Sequence, residues 1–418
     1  MWWGAGMRWR AVVLLTVVIG SAAAQRRADS LTVEVARWFA RDLMELNAIP
    51  FMQPLVTTVN AISNSRFFRH APLPPSKQSF YFRFGFHSMV GLVRESQRTY
   101  VPRAPNDSVL RLEPYAQLRF VNNQPVLVIV DTAGLIASIL RYLFYEGIRE
   151  DSIRLPERAA TVFGYLPAGI VIPRDYLIRR IQRDPLYQML SPAARATLDS
   201  ALARVPAVRF ELPPGQNMHT IFAAVPQVEL GALWGTELLL RLIPPVQWDR
   251  NVGHFAFWGI GLTHSLSQYW EAAGAPVQAA VQVVYQGTAL RNTIGETGAR
   301  LRAWAAIWSA NVHAAYVLPR LGTLLYLGAA WERIQIESEY TFVLPIEVQL
   351  RLGLLPEDKR PTPEQPGDTK PQVVRPLLTD TNWKLTLGVA QPIGPVTVAV
   401  DGSLSKFPLL SFGVLYRW

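Results

Sequence analysis

The chain has 418 residues, of which 50% are hydrophobic and only 17% charged, with a formal net charge of +10 and no cysteine. Without cysteine there are no disulfides and no thiol or iron–sulfur chemistry. Beyond residue 24 no run of about 18 apolar residues occurs, so no apolar helix can carry the chain across a bilayer.

Residues 1–24 read as a secretory signal. Arg8 and Arg10 form a short basic region, and Ala11 to Ile19 is an apolar run too short to span. Ala22-Ala23-Ala24 is a small-residue cleavage site, which places the mature start at Gln25. No cysteine follows the run, so no lipoprotein anchor is expected. Loss of Arg8 and Arg10 lowers the net charge from +10 to +8. Basic proteins can bind nucleic acid, but an exported destination argues against that partner.

Residues 25–70 lack strand alternation. Leu31, Val33, Val35, Phe39, Leu43 and Leu46 approach helical spacing, with Ser30 as cap. Pro50 is expected to end this helix, and Phe51, Leu55, Val56, Val59 and Ile62 to begin a second. The pair would form a hatch within or beneath the strands that come after it in the chain.

From Phe80 the period changes to two. Phe80, Phe82, Phe84 and Phe86 share one face, while Tyr81, Arg83, Gly85 and His87 share the other. Four phenylalanines in a row are costly against water and natural against lipid. Leu110, Leu112, Ala116, Leu118 and Phe120 repeat the scheme against Arg111, Glu113, Gln117 and Arg119, and Asn122-Asn123 turns the chain into Val126–Val130.

An insert at about 132–210 interrupts the rhythm. Leu135, Ile136, Ile139, Leu140, Leu143 and Phe144 have helix period, and Ser191-Pro192 opens another helix. A strand is expected within Thr161–Ile172. From Ile221 strands recur, near 221–230, 233–243, 254–267, 276–288, 299–317, 321–335, 340–354, 382–391, 395–404 and 409–418. With four earlier ones they total about 14, and bacterial barrels take even numbers. The last strand places Leu410, Phe412, Val414, Tyr416 and Trp418 on one face, the aromatic ending that the outer-membrane insertion machinery reads. With Trp418 in the periplasm, the long connection Pro356–Thr379 lies outside and the short Gln391–Pro395 inside, the asymmetry of outer-membrane barrels.

The expected fold is therefore an all-β membrane protein. It is an antiparallel transmembrane β-barrel over 71–418, with N-terminal helices over 25–70 and a helical insert, in the outer membrane of a Gram-negative cell. Several stretches resemble a family of uncharacterised outer-membrane barrels of Bacteroidetes-type bacteria: Pro54-Leu55-Val56 through Asn64-Ser65-Arg66-Phe67-Phe68, Phe82-Arg83-Phe84-Gly85-Phe86-His87, Thr161-Val162-Phe163-Gly164, Leu212-Pro213-Pro214-Gly215-Gln216-Asn217 and Gly259 through Gln268. The resemblance implies a barrel with N-terminal helical material and no known activity. The layout also resembles outer-membrane transporters of long-chain fatty acids and other hydrophobic compounds, which hold a helical hatch inside 14 strands.

No enzyme constellation emerges. His264-Ser265-Leu266-Ser267-Gln268 lacks the Asn-Gly of outer-membrane phospholipases and reads as interfacial girdle beside Tyr269 and Trp270. No histidine pair has metal spacing, no phosphate loop is present, and no cofactor is expected. Asp358 and Asp368 read as solvating a flexible outer loop rather than binding calcium. By strand parity Arg83, His87, Arg111, Arg119, Glu237, Arg241, Gln282, Glu347 and Arg351 point into the lumen. They are either wall-bracing ion pairs or a constriction for a solute. The function expected is passive movement of a small hydrophobic or amphipathic solute, with membrane lipid as the surrounding partner; the runner-up is a filled barrel that docks a partner, and an outer-membrane lipid hydrolase comes third. A continuous lumen with an apolar pocket would favour the first, and a lumen closed by salt bridges the second.

Overall fold

The computed structural model describes residues 30–71, 80–105, 115–121, 124–183, 208–249, 253–269, 277–294, 299–344, 346–351 and 353–418, with scattered positions between 192 and 199. The signal region and Arg111 lie outside these residues.

Ten antiparallel strands close on themselves: β1 Tyr81–Leu92, β2 Thr220–Leu233, β3 Thr236–Asp249, β4 Gly253–Ser265, β5 Val277–Ile294, β6 Ala299–Val317, β7 Leu324–Phe342, β8 Leu377–Ile393, β9 Val396–Leu404 and β10 Leu409–Arg417. Each pairs with its sequence neighbour, and β1 closes the ring on β10 with His87 opposite Gly413. Trp418 extends that seam, its N–H bonding the Phe82 carbonyl at 2.9 Å. Gln372–Val374 adds one short strand outside the ring, on the end of β7.

Ten strands, not 14, make this barrel. The expected strands at 110–120 and 126–130 correspond to a separate hairpin, Ala116–Val121 with Gln124–Ile129, that joins no barrel strand. Ala168–Ile172 pairs with Val208–Leu212, again apart from the ring. Strand β7 ends at Phe342, and Ile346–Arg351 is a short helix. Its apolar residues at 346, 348 and 350 satisfy period two, but Pro345 cannot donate to a ladder and suits a helix start. Arg119 therefore belongs to a hairpin, and Glu347 and Arg351 to a helix in a connection, not to the barrel wall.

The faces of the ring follow the alternation. Phe82, Phe84 and Phe86 of β1, Leu238, Leu240 and Leu242 of β3, and Leu385, Leu387 and Val389 of β8 point outwards, most of them well exposed. Tyr81 and His87, Leu239 and Arg241, and Lys384 and Ala390 point inwards and are buried. No helix is long and apolar enough to cross a membrane among the described residues. A closed ring with an apolar outside is the other way for a backbone to satisfy its own polar groups in lipid. Aromatics cover small residues across strands: a Cβ on Gly231 would lie 1.9 Å from the Tyr81 ring, and one on Gly388 2.2 Å from the Tyr326 ring.

The segment before β1 is one helix, α1, Ser30–Ser63, not two. Pro50 and Pro54 lie inside it, and each removes a ladder donor. The carbonyl of Phe51, between them, accepts from Val162 N–H at 3.1 Å, and the Thr58 hydroxyl donates to the Pro54 carbonyl at 2.8 Å. Packing on both sides of the prolines holds the axis together. Val33 and Ala40 pack on Leu344 and Leu354, and Leu43 on Phe144, Ile153, Ile170 and Tyr176. Beyond the prolines, Val56 packs on Ile307, Ile334 and Leu378 of the wall. Two helices of the 93–219 connection, α2 Thr132–Arg149 and α3 Arg174–Gln182, build the cap around the first half of α1.

The outward face of β1 predicts a directional effect. Phe86→Arg should cost about 2–4 kcal/mol if it sits near the bilayer midplane, and less towards either interface. Unfolding of the mature protein in lipid by urea would read this. A loss no larger than that of Phe86→Ala would contradict a lipid-facing position.

Candidate functional site

The connections at the rim bearing Trp418 are short: Trp234-Gly235, 266–276, Leu318–Thr323 and Gly394-Pro395. At the opposite rim two are long, 93–219 and 343–376. Helix α1 enters from the long-loop rim. Its second half and the following residues, to Ala71, run down the lumen, and the contacts fall at progressively deeper wall positions. Gln53 reaches the Thr379 carbonyl, Asn60 reaches Asp380 at 3.1 Å, and Arg66 reaches Asp401 and Tyr326. His70 then lies beside Tyr81, the first residue of β1.

The last turn of α1 leaves carbonyls without helical donors, and two wall cations take them. Lys384 Nζ donates to the carbonyls of Ala61 at 2.8 Å and Asn64 at 3.1 Å, and is also ion-paired to Glu332. Arg241 donates to the Ser63 carbonyl at 2.8 Å and the Ser65 carbonyl at 2.6 Å, with its plane over the Phe67 ring. Cations suit this end of a helix dipole as well as its geometry.

Below this point the chain carries its own cations onto wall carboxylates. Arg69 forms a bidentate pair with Glu229, at 2.8 and 2.6 Å, and Gln227 donates to the same carboxylate at 2.7 Å. Arg83 lies 3.6 Å from Glu229 and 3.4 Å from Glu237, and donates to His70 at 2.8 Å. Tyr81 donates to Glu237. On the facing wall Gln282 donates to the Phe67 carbonyl at 3.3 Å, Asn311 donates to Gln282, and His313 bonds both Asn311 and the His70 carbonyl. Phe68 stacks on His313 with centroids 4.4 Å apart.

Of the residues read from the sequence as lumen-facing, Arg83, His87, Glu237, Arg241 and Gln282 line this site. His87 is fully buried, and neither ring nitrogen has a hydrogen-bond partner among the described residues. The sequence reading missed Glu229, Glu332, Lys384, Asp380 and Asp401, although the same parity rule on β2, β7, β8 and β9 points them inwards. It also missed Arg66 and Arg69, which sit beyond the helix where no period marks a face.

The first half of α1 is fastened at the long-loop rim. Arg37 pairs with Glu34 at 2.9 Å and with Asp368, and Lys370 reaches Glu34 at 3.0 Å. Asp368 is buried and also accepts from Leu344 N–H at 2.9 Å, so it anchors the loop instead of solvating it. Burial works against the Glu34 charge, yet Lys370 and Arg37 hold its carboxyl below the ordinary value of 4.5. Burial likewise opposes the Arg37 charge, and Asp368 and Glu34 still raise its pKa. At the other rim His264 bonds Thr236 at 2.9 Å, Tyr269 at 2.8 Å and Gln268 at 3.0 Å, which ties the end of β4 to its turn.

A family profile matches residues 9–418, nearly the whole sequence. The chain belongs to a family of unknown function, DUF6588. No curated protein matches it. Solved structures of Pseudomonas aeruginosa OpdQ and OccK8 (OprE), and of Acinetobacter baumannii OccAB4, align at 8%, 7% and 8% identity. The alignments span 83%, 81% and 82% of this chain and 99%, 98% and 99% of theirs, with TM-scores of 0.13, 0.11 and 0.12. Superpositions that loose carry no argument about this DUF6588 member.

The ion pairs of the segment can be probed at both ends. Arg69→Ala removes the bidentate partner of Glu229, leaving it Gln227 and the more distant Arg83, and should lower stability by about 3 kcal/mol, with part of it recovered in Arg69→Ala/Glu229→Ala, as for buried pairs generally; urea unfolding of the four proteins of the cycle reads this. The Glu34 carboxyl has a folded pKa below its unfolded one, so its contribution is complete above pH 4.5 and fades as pH falls through the lower folded value. Protease nicking of residues 30–50 should accelerate on acidification below pH 4.5, and Glu34→Gln should weaken that acid dependence, with the carboxylates of Asp42 and Asp368 still fastening the same half.

Proposed function

We propose that this protein is an outer-membrane barrel shut at rest by its own N-terminal segment, and that a small solute passes when that segment shifts. The observation that carries the reading is the polarity of the contact between segment and wall. From Asn60 to His70 hydrogen bonds and ion pairs, which water can replace, stand beside apolar packing of Ala61, Ile62, Phe67 and Phe68, and the wall behind the segment also presents Gln227, Gln282, Gln286, Asn311, Asn382 and Ser403. A polar wall stays wetted once uncovered. A barrel of about eight strands is filled by side chains and one of 16–18 leaves a channel. Ten strands lie nearer the filled limit, and a helix about 10 Å wide occupies the lumen, so passage would need the segment displaced.

An amphipathic solute suits this lumen better than a purely hydrophobic one. An apolar cavity of about 870 Å³ lies on the outside of the ring around Gly402, lined by Leu92, Leu327, Leu385, Leu387, Leu404 and Leu410. The fatty-acid transporters share the arrangement of a helical hatch within a ring, but theirs has 14 strands. The reading includes no catalysis. A filled barrel that docks a partner through its cap is the second reading, and the wall ion pairs favour it.

Planar-bilayer conductance separates the two. Asn60 and Asp380 are hydrogen-bonded neighbours in a chain without cysteine, so Asn60→Cys/Asp380→Cys can lock the segment. In an Arg66→Ala/Arg69→Ala background the reduced protein should show current steps, and oxidation should silence them. Silence of the reduced protein, with its heat-modifiable gel mobility intact, would favour the filled barrel.

A further inference from the structure

The direction in which α1 threads the ring fixes where its N-terminal half lies. Residues 53–56 meet the first residues of β8 and the late residues of β7, both at the long-loop rim. Residues 66–70 meet Tyr326, early in β7, and Tyr81 and Glu237, early in β1 and β3, all at the rim of Trp418. The 21 positions from Ser30 to Pro50 stand beyond the ring, clasped by Asp368 and Lys370 of one long connection and by Arg103, Arg141 and Phe144 of the other. At about 1.5 Å per residue that half projects about 30 Å.

In outer-membrane barrels short turns face the periplasm and long connections face the outside. Applied here, the rule puts the long-loop rim, and with it the start of α1, on the cell surface. The chain thus enters β1 from the periplasmic rim only after passing from outside to inside through its own lumen. We infer that this barrel exports its own N-terminal segment: residues 30–50 are displayed at the cell surface, and residues 51–71 are the part left in transit, stopped in the lumen. This rests on the outer-membrane reading above and adds a transport event whose cargo is the chain itself.

The stop has a structural reason. The transit segment is nearly helical and uncharged from Gln53 to Ser65, then turns basic at Arg66 and Arg69. These two cations meet Asp401 and Glu229, and the wall cations Lys384 and Arg241 meet the carbonyls just before them. The pairing sets one register along the lumen, with Ser30–Pro50 on the far side for the cap to close around.

The absence of cysteine allows a direct test with single thiols. Glu45→Cys is exposed on the projecting half of α1, Arg360→Cys is exposed in the long 343–376 connection, and Leu321→Cys is exposed in a short turn at the opposite rim. Intact cells would be treated with a membrane-impermeant maleimide, and a parallel sample permeabilised first. The inference expects Glu45→Cys to label on intact cells as fully as Arg360→Cys, and Leu321→Cys to label only after permeabilisation. Labelling of Arg360→Cys but not of Glu45→Cys on intact cells would overturn self-export while leaving the orientation of the barrel standing. Labelling of Leu321→Cys but not of Arg360→Cys would overturn the orientation and the inference together. Equal protection of all three until permeabilisation would remove the outer-membrane reading itself.

Discussion

The C-terminus of α1 rests on Lys384 and Arg241, and the arrangement of the lumen depends on that contact. A helix end buried without donors would strand carbonyls at a cost that few folds tolerate. Two long cationic side chains, from β8 and β3, reach across the lumen to supply them. Once the helix is docked there, the eight residues after it are committed to a path between facing walls. Arg66 and Arg69 can then reach carboxylates on β9 and β2.

Buried charge is expensive, and this site pairs its carboxylates while Arg241 is held by Gln227 and two carbonyls. Each wall carboxylate near the segment has a cation: Asp401 with Arg66, Glu229 with Arg69 and Arg83, Glu237 with Arg83, Glu332 with Lys384, and Asp380 with Lys406. Such pairs add little net stability over apolar packing, but breaking one is costly. They favour a single register over tightness. That suits a segment fixed in one position yet held by contacts that water can take over. Outside the ring the chemistry reverses: the wall presents leucine, phenylalanine and tryptophan, and the cap packs Leu43, Phe144, Ile153 and Ile170 into a small core.

The sequence was most legible where one physical rule acted alone. Strand β1 and the run from 221 to 335 alternate because one face of the ring is apolar and exposed while the other is buried against the lumen, so Arg83, His87, Glu237, Arg241 and Gln282 could be pointed inwards from parity. The rule misled where two structures share it. Ile346, Val348 and Leu350 fit a strand, yet Val348 packs against the Val33–Leu344 cluster from a helix. Arg119 alternates properly on a hairpin that belongs to no barrel. Pro50 predicts a break, but contacts on both sides of it and of Pro54 keep α1 continuous.

By itself the sequence determined that apolar and polar residues alternate along enough strands to require a closed ring, because alternation is local and each side chain faces the medium that its own chemistry demands. It also determined that Ser30–Ser63 is helical. Tertiary structure alone decided the number of strands, since closure depends on which edges find each other and not on how many segments alternate. It alone decided that α1 runs down the lumen from the long-loop rim, and which charges meet. Arg69 and Glu229 are 160 positions apart in the chain, and no local pattern records a pairing that exists only when a ring has closed around a helix.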